Sequence, residues 1–215
     1  MFKTYLFLLV ILCAYLPAQT VRPVRIHYSG GGDWYGNKTT WKNILNKARS
    51  VLNINSARRE YAARITDPEF SDAPIAYIAG HGRVSFSQEE AQRLRLYLTR
   101  GGFLFADDDY GMDVSFRQAM KKVFPELDFV TVPFSHPIYH TVYDFPNGLP
   151  KIHEHAGGPP QGLGLFFEGR LVCFYSFNTD ISDGCEDPDI HKDPAEKRAQ
   201  ALKMAVNILA YALTW

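Results

Sequence analysis

The densest chemistry in this sequence is the run Asp107-Asp108-Asp109, which closes the apolar stretch FLFA and precedes Tyr110 and Gly111. Consecutive carboxylates at the end of an apolar run repel one another unless a cation, an imidazole or hydrogen-bond donors offset them. His81, held between Gly80 and Gly82, one of Asp107 or Asp108, and His136 offer ligand types suited to a divalent ion such as zinc or manganese, although the separations follow no short ligand motif. Without a metal, Asp107 could orient His81 or His136 as the base of a hydrolytic site, because a carboxylate fixes an imidazole and raises its basicity. The plainer alternative is that some of the aspartates cap a helix or shape a turn. His81, Asp107, Asp108 and His136 are therefore the catalytic candidates, and His140, His153 and His155 are further residues of the same type.

A second set of residues suits binding. Gly31, Gly32, Asp33, Trp34 and Tyr35 in YSGGGDWY, together with Tyr110 and Asp180, combine flexible backbone, carboxylates and aromatic faces, as sites for a small polar or glycan-like ligand do. Phe134 and Tyr139 lie near the same loops, and loop packing is the competing explanation for all these rings. The run Gly30-Gly31-Gly32 has neither the lysine-serine ending of a phosphate loop nor the spacing of a dinucleotide fingerprint, which disfavours a nucleotide cofactor. Lys plus Arg equals Asp plus Glu at 23 each, with no basic run, so nucleic acid is not an expected partner.

The elements that must position these residues follow from periodicity. VRIHY reads as a strand stopped by SGGGDW, and Trp41, Ile44, Leu45, Ala48 and Leu52 recur at helical spacing after it. PIAYIAGHG is a continuous apolar run, as in a strand covered on both faces. Ser87 with Glu90 forms a capping-box signature for a helix that Gly101 and Gly102 close, and FLFAD returns to the sheet. A helix carrying Phe116, Ala119, Met120 and Val123 stops at Pro125, and DFVTVP is the next strand. Residues 53–65 are ambiguous, and the stretch 135–161, rich in Pro, Gly and His, reads as a long surface excursion. GLFFEG and RLVCFYS form an expected hairpin through Glu168 and Gly169, followed by a helix from about Pro194 to Leu213.

Alternating strands and helices imply an α/β fold, a doubly wound, mainly parallel sheet with helices on both faces and a C-terminal antiparallel hairpin. Ligands bind such sheets at the carboxyl ends of the strands. Ser29 to Trp34, His81, Asp107 to Asp109, Ser135 with His136, and Asn178 with Asp180 all follow strands, so they are expected to share that edge.

Lys3 followed by the apolar run Tyr5 to Leu16 and by Pro17-Ala18 fits a secretory signal peptide over residues 1–18, with an uncleaved anchor as the alternative. The remainder, 19–215, is then a single exported domain, periplasmic or secreted, beginning near Gln19 or Thr20 and without stable membrane insertion. Cys173 and Cys185 are the cysteines of that domain, and both a disulfide and two buried thiols are open.

YSGGGDWY, AGHG, LRLYLTRGGFLFADDDYG, SHPIYH, GRLVCFYS and VNILAYALT, in this order, resemble the bacterial domain-of-unknown-function family 4159. The resemblance covers nearly all of residues 19–215. It implies a flavodoxin-like sheet of the class I glutamine amidotransferase kind and exported or membrane-tethered members, but no established activity. The nucleophilic cysteine elbow of true amidotransferases has no counterpart here, since Cys173 lies within a strand, which disfavours glutamine hydrolysis. Two functions follow as expectations: binding of a small polar or glycan-like ligand, or hydrolysis by a His/Asp site, metal-assisted or not, at the same edge.

Overall fold

The computed structural model describes residues 20–154 and 157–215; the expected signal segment and His155 lie outside them. Seven strands form one sheet in the order β2-β1-β3-β4-β7-β6-β5. They are β1 (Val24–Ile26), β2 (Tyr61–Ala63), β3 (Ile75–His81), β4 (Phe103–Tyr110), β5 (Val130–Thr131), β6 (Gln161–Phe167) and β7 (Arg170–Phe177). Strands β2, β1, β3, β4 and β7 run parallel, while β6 is antiparallel to both β7 and β5. The expected mainly parallel α/β sheet with its C-terminal antiparallel hairpin is therefore present. The hairpin turns at Glu168 and Gly169, both with positive φ, as a tight two-residue connection between twisted strands requires.

Among the described residues five helices flank the sheet: α1 (Thr40–Leu52), α2 (Gln88–Thr99), α3 (Asp113–Val123), the single turn α4 (Ile181–Gly184) and α5 (Ala195–Thr214). Strand alternation sorts the core into two layers. Leu104 and Ala106 of β4 face α2 and α3, whereas Phe103 and Phe105 face α1 and α5. Ser87 caps α2 with the expected box, its hydroxyl accepting from Glu90 N at 3.2 Å and its own N–H donating to Glu90 Oε2 at 2.7 Å.

Two segments differ from expectation. The ambiguous stretch 53–65 holds the edge strand β2, too short to show a period. The 135–161 segment buries Ile138, Tyr139, Phe145, Leu149 and Ile152 against the α1/α5 layer, so much of it is core. Its apolar residues are irregularly spaced because the chain there turns instead of repeating, beginning with a 3-10 turn at Pro137–Tyr139. No helix among the described residues is long and apolar enough to cross a membrane. Cys173 and Cys185 are buried free thiols.

The order β2-β1-β3-β4 decides where a ligand can sit. The chain leaves β1 toward α1 on one face and leaves β3 toward α2 on the other. Between the carboxyl ends of β1 and β3 the connections diverge, and a crevice opens at such a switch point.

Candidate functional site

The three aspartates at the end of β4 meet three different environments. Asp107 is fully buried on the α1/α5 face, where its carboxylate accepts from the Ser176 hydroxyl and, at 2.6 Å, from Ser182 N of α4. Burial pushes its carboxyl up to about 7 despite these bonds. Asp108 points to the opposite face and works as a local brace, accepting from Met112 N at 2.9 Å, just before α3, and from the Tyr175 hydroxyl at 3.2 Å. Burial raises its carboxyl as well. Asp109 is fully buried, and neither carboxylate oxygen has a hydrogen-bond partner among the described residues. Burial, then the negative charges of Asp183, Asp107, Asp180 and Asp108, hold it well above the usual carboxylate range.

Strand alternation separates Asp107 from Asp108, and a break in the sheet sets Asp109 apart. Gly80 pairs with Asp108, but His81 pairs with Tyr110, leaving Asp109 as an extra residue on β4. Such a bulge re-aims a side chain at the price of regular pairing.

At the switch point, the loop after β1 delivers Asp33 to the end of β3. One oxygen of Asp33 accepts from His81 N, and the other, Oδ2, lies 3.2 Å from His81 Nδ1. The His81 side chain is 51% exposed, and its Nε2 has no partner among the described residues. A Cβ at Gly80, whose φ is +134°, would stand 2.6 Å from Asp33 Oδ1 and 2.7 Å from the Tyr28 hydroxyl, so only glycine admits the carboxylate here. Gly32 meets the same constraint, since its Cβ would lie 2.8 Å from His81 O. The amides of Gly32 and Asp33 donate to Arg83 O and His81 O and hold the loop in place.

Buried Arg25 of β1 anchors the rest of that loop, donating to Gly36 O at 2.7 Å and Asn37 O at 2.8 Å while pairing with Glu60 at 2.8 Å. The loop then reaches a second group. Asn37 Nδ2 donates to Asp183 Oδ1 at 2.7 Å, and Thr39 N donates to Glu186 Oε1 at 3.2 Å.

This second group is a carboxylate and imidazole cluster beyond the end of β7. His153 Nδ1 lies 3.1 Å from Asp180 Oδ2 and 3.4 Å from Asp183 Oδ2, while its Nε2 lies 3.0 Å from Asp193 Oδ1. His191 Nε2 is 3.0 Å from Glu186 Oε2 and 3.7 Å from Asp183 Oδ1. Hydrogen bonds to Asp180 and Asp183 raise the His153 imidazole to about 10. Burial alone would raise Asp183, but the bond from His153 and the charges of His191, His153 and His81 outweigh it and hold the carboxyl below its usual value. His81 thus acts electrostatically on the cluster, which joins the two groups into one edge.

Of the sequence candidates, the structure gathers His81, Asp33, Asp107 and Asp180 along this carboxyl edge, with Asp109 beside them. His136 does not join them. After β5 the chain turns back over the face, His136 N donating to Pro133 O, and its ring packs on Phe166 and Tyr211. Phe166 pairs with Leu171, five residues before Ser176, which puts this contact about 17 Å down the strand from Asp107. The pairing of Asp107 with His81 or His136 is likewise replaced: Asp33 orients His81, and Asp107 is held by serine and backbone donors. Trp34 stacks on His27 at 4.0 Å and packs against the core, whereas Tyr35 and Tyr110 are exposed. Gly31 lies in open space with a positive φ.

Asp183, Glu186, His191 and Asp193 escaped the sequence reading. Their signal was composition: residues 180–193 hold six acidic side chains and a histidine immediately after a strand. A surface pocket of about 550 Å³ lies elsewhere, at the amino edge beside Phe70 and Tyr97.

The family described as Domain of unknown function (DUF4159) matches residues 22–213, most of the chain. No curated protein matches it.

Proposed function

The chain belongs to that family, which carries no assigned activity, and from this premise we propose that it is an exported hydrolase of a small polar, glycan-like ligand, with His81 as general base at the carboxyl edge. The observation that carries the reading is the 3.2 Å contact between His81 Nδ1 and Asp33 Oδ2 at the switch point, with the imidazole half exposed. A carboxylate bonded to Nδ1 selects the tautomer in which Nε2 accepts a proton and steadies the imidazolium that forms. The glycine at 80 supports the assignment, because a Cβ there would occupy the space of the Asp33 carboxylate, and Gly32 lets the loop that carries Asp33 pass close against His81 O. Exposed Tyr35 and Tyr110 are the aromatic faces on which a sugar-like ligand would rest, and they favour recognition of the same ligand as the second reading.

Turnover of nitrophenyl esters and glycosides by the purified chain tests the base. His81→Asn should lower kcat by about 100-fold or more, the usual share of a general base, and Asp33→Asn should lower it comparably while leaving the fold intact. Full activity in His81→Asn would sink the assignment. Absence of turnover with saturable binding of an oligosaccharide would leave recognition in its place.

Export rests on the apolar run Tyr5 to Leu16 ahead of Pro17-Ala18. Terminal sequencing of the chain from its producing cell should begin at Gln19 or Thr20. Intact Met1 in washed membranes would make it an anchored protein instead.

A further inference from the structure

We propose that His153, Asp183 and His191 bind a divalent transition-metal ion of the zinc type, with the buried carboxyl of Asp109 as the charge that the ion offsets. The proposal goes beyond the hydrolytic reading and does not depend on it. One ligand atom from each of the three residues lies within 4.8 Å of the other two. The Asp183 oxygens stand 3.4 Å from His153 Nδ1 and 3.7 Å from His191 Nε2. Ligand atoms around a tetrahedral ion with bonds of about 2.0–2.1 Å lie about 3.3 Å apart, so small shifts of two imidazoles close the set.

The surroundings match a metal centre in two further respects. Asp193 sits 3.0 Å from His153 Nε2, so it can accept that N–H and leave Nδ1 as the ligand atom; carboxylates orient zinc-bound imidazoles in this way. The second respect is independent of the cluster's own hydrogen bonds. Asp109 is fully buried, both its oxygens lack a partner among the described residues, and the charges it senses most are Asp183, Asp107 and Asp180. A carboxyl buried on the bulge without donors is accounted for by a cation bound beside it. Two imidazoles with one carboxylate favour zinc and its neighbours over magnesium or calcium, which take oxygen ligands. His191 is partly exposed, and three protein ligands leave a fourth position for water or ligand oxygen, the pattern of catalytic and not of closed structural sites.

Calorimetric titration of chelator-stripped chain with Zn²⁺, together with thermal melts, tests the site. One ion per chain should bind and raise the melting temperature. His191→Ala and Asp109→Asn should each weaken binding tenfold or more, while His140→Ala, which removes an imidazole paired with Asp144, should leave it unchanged. His81→Asn should still bind one zinc ion per chain whatever its turnover, so failure of the base and failure of the ion site are read separately. No saturable binding of Zn²⁺ or Mn²⁺, or unchanged affinity in His191→Ala, would overturn the proposal.

Discussion

Asp109→Asn should make the metal-free chain more stable, not less, at neutral pH. Most substitutions of fully buried side chains destabilise because they open cavities or strand a partner. Asp109 offers neither route: the replacement conserves volume, and no donor among the described residues bonds the carboxylate. What the native residue contributes is a carboxyl held well above its usual range by burial and by Asp183, Asp107 and Asp180. The amide of Asn also lacks partners, yet a neutral polar group costs less to bury than a carboxylate or than the proton that neutralises it. The gain should be on the order of 3 kcal/mol, the scale of an uncompensated buried charge, or about 6–12 °C in melting temperature for a domain of this size. Asp108→Asn is the contrast, because Asp108 braces Met112 N and the Tyr175 hydroxyl. It should lose about 1 kcal/mol. Melts of both variants and the native chain at pH 7.5 in chelator decide the matter, and a clearly destabilised Asp109→Asn would mean that the residue is architecture.

That contrast shows what the sequence could and could not reveal about this site. Three adjacent aspartates mark the end of β4 from composition alone, and the capping box of α2 and the hairpin at Glu168-Gly169 are local patterns that a linear reading recovers. The fate of Asp109 depends on a bulge, which arises from how β3 pairs with β4, two strands separated by a whole helix. The partner of His81 was hidden for a similar reason. Asp33 stands 48 residues away, and only the divergence of the chain after β1 and β3 brings the two together. His136 was assigned to the carboxyl edge because it follows a strand, a rule that fails when the chain folds back at Pro133 and seats the ring on Phe166 and Tyr211. The histidine and carboxylate cluster comes from the irregular stretch before β6 and from the segment after β7, where no period exists to place a side chain. Function in α/β folds concentrates in such connections, so the part of the chain that carries chemistry is the part that periodicity describes least.

The same buried carboxyls give the metal-free chain an unusual dependence on pH. Burial holds the folded-state value of Asp107 at about 7, whereas an unfolded aspartate titrates near 3.9. Below pH 4 the carboxyl is protonated in both states and adds no slope. Between about 4 and 7 the folded chain keeps a proton that the unfolded chain releases, so each unit of rising pH favours unfolding by about 1.4 kcal/mol for a single such group, or about 4 kcal/mol over the window. That figure is an upper scale, since Asp107 and Asp109 interact with one another and each feels the charge of Asp180. His153 acts in the same direction at higher pH. Its imidazole is raised to about 10, chiefly by Asp180 and Asp183, so its contribution is complete below about 6.5 and disappears as pH rises through 10. Asp183 is held below its usual value, so it loses its contribution only in strong acid, outside this range. Stability in chelator should therefore decline from pH 5 to pH 8, where an ordinary domain is near its maximum. Urea midpoints at pH 5, 6, 7 and 8 measure the slope, and Asp107→Asn, which removes the titrating proton, should flatten it most between 5 and 7. A midpoint that stays level or rises with pH in the native chain would show that Asp107 ionises as an ordinary carboxylate, and the charge balance derived for this edge of the sheet would then be wrong at its centre.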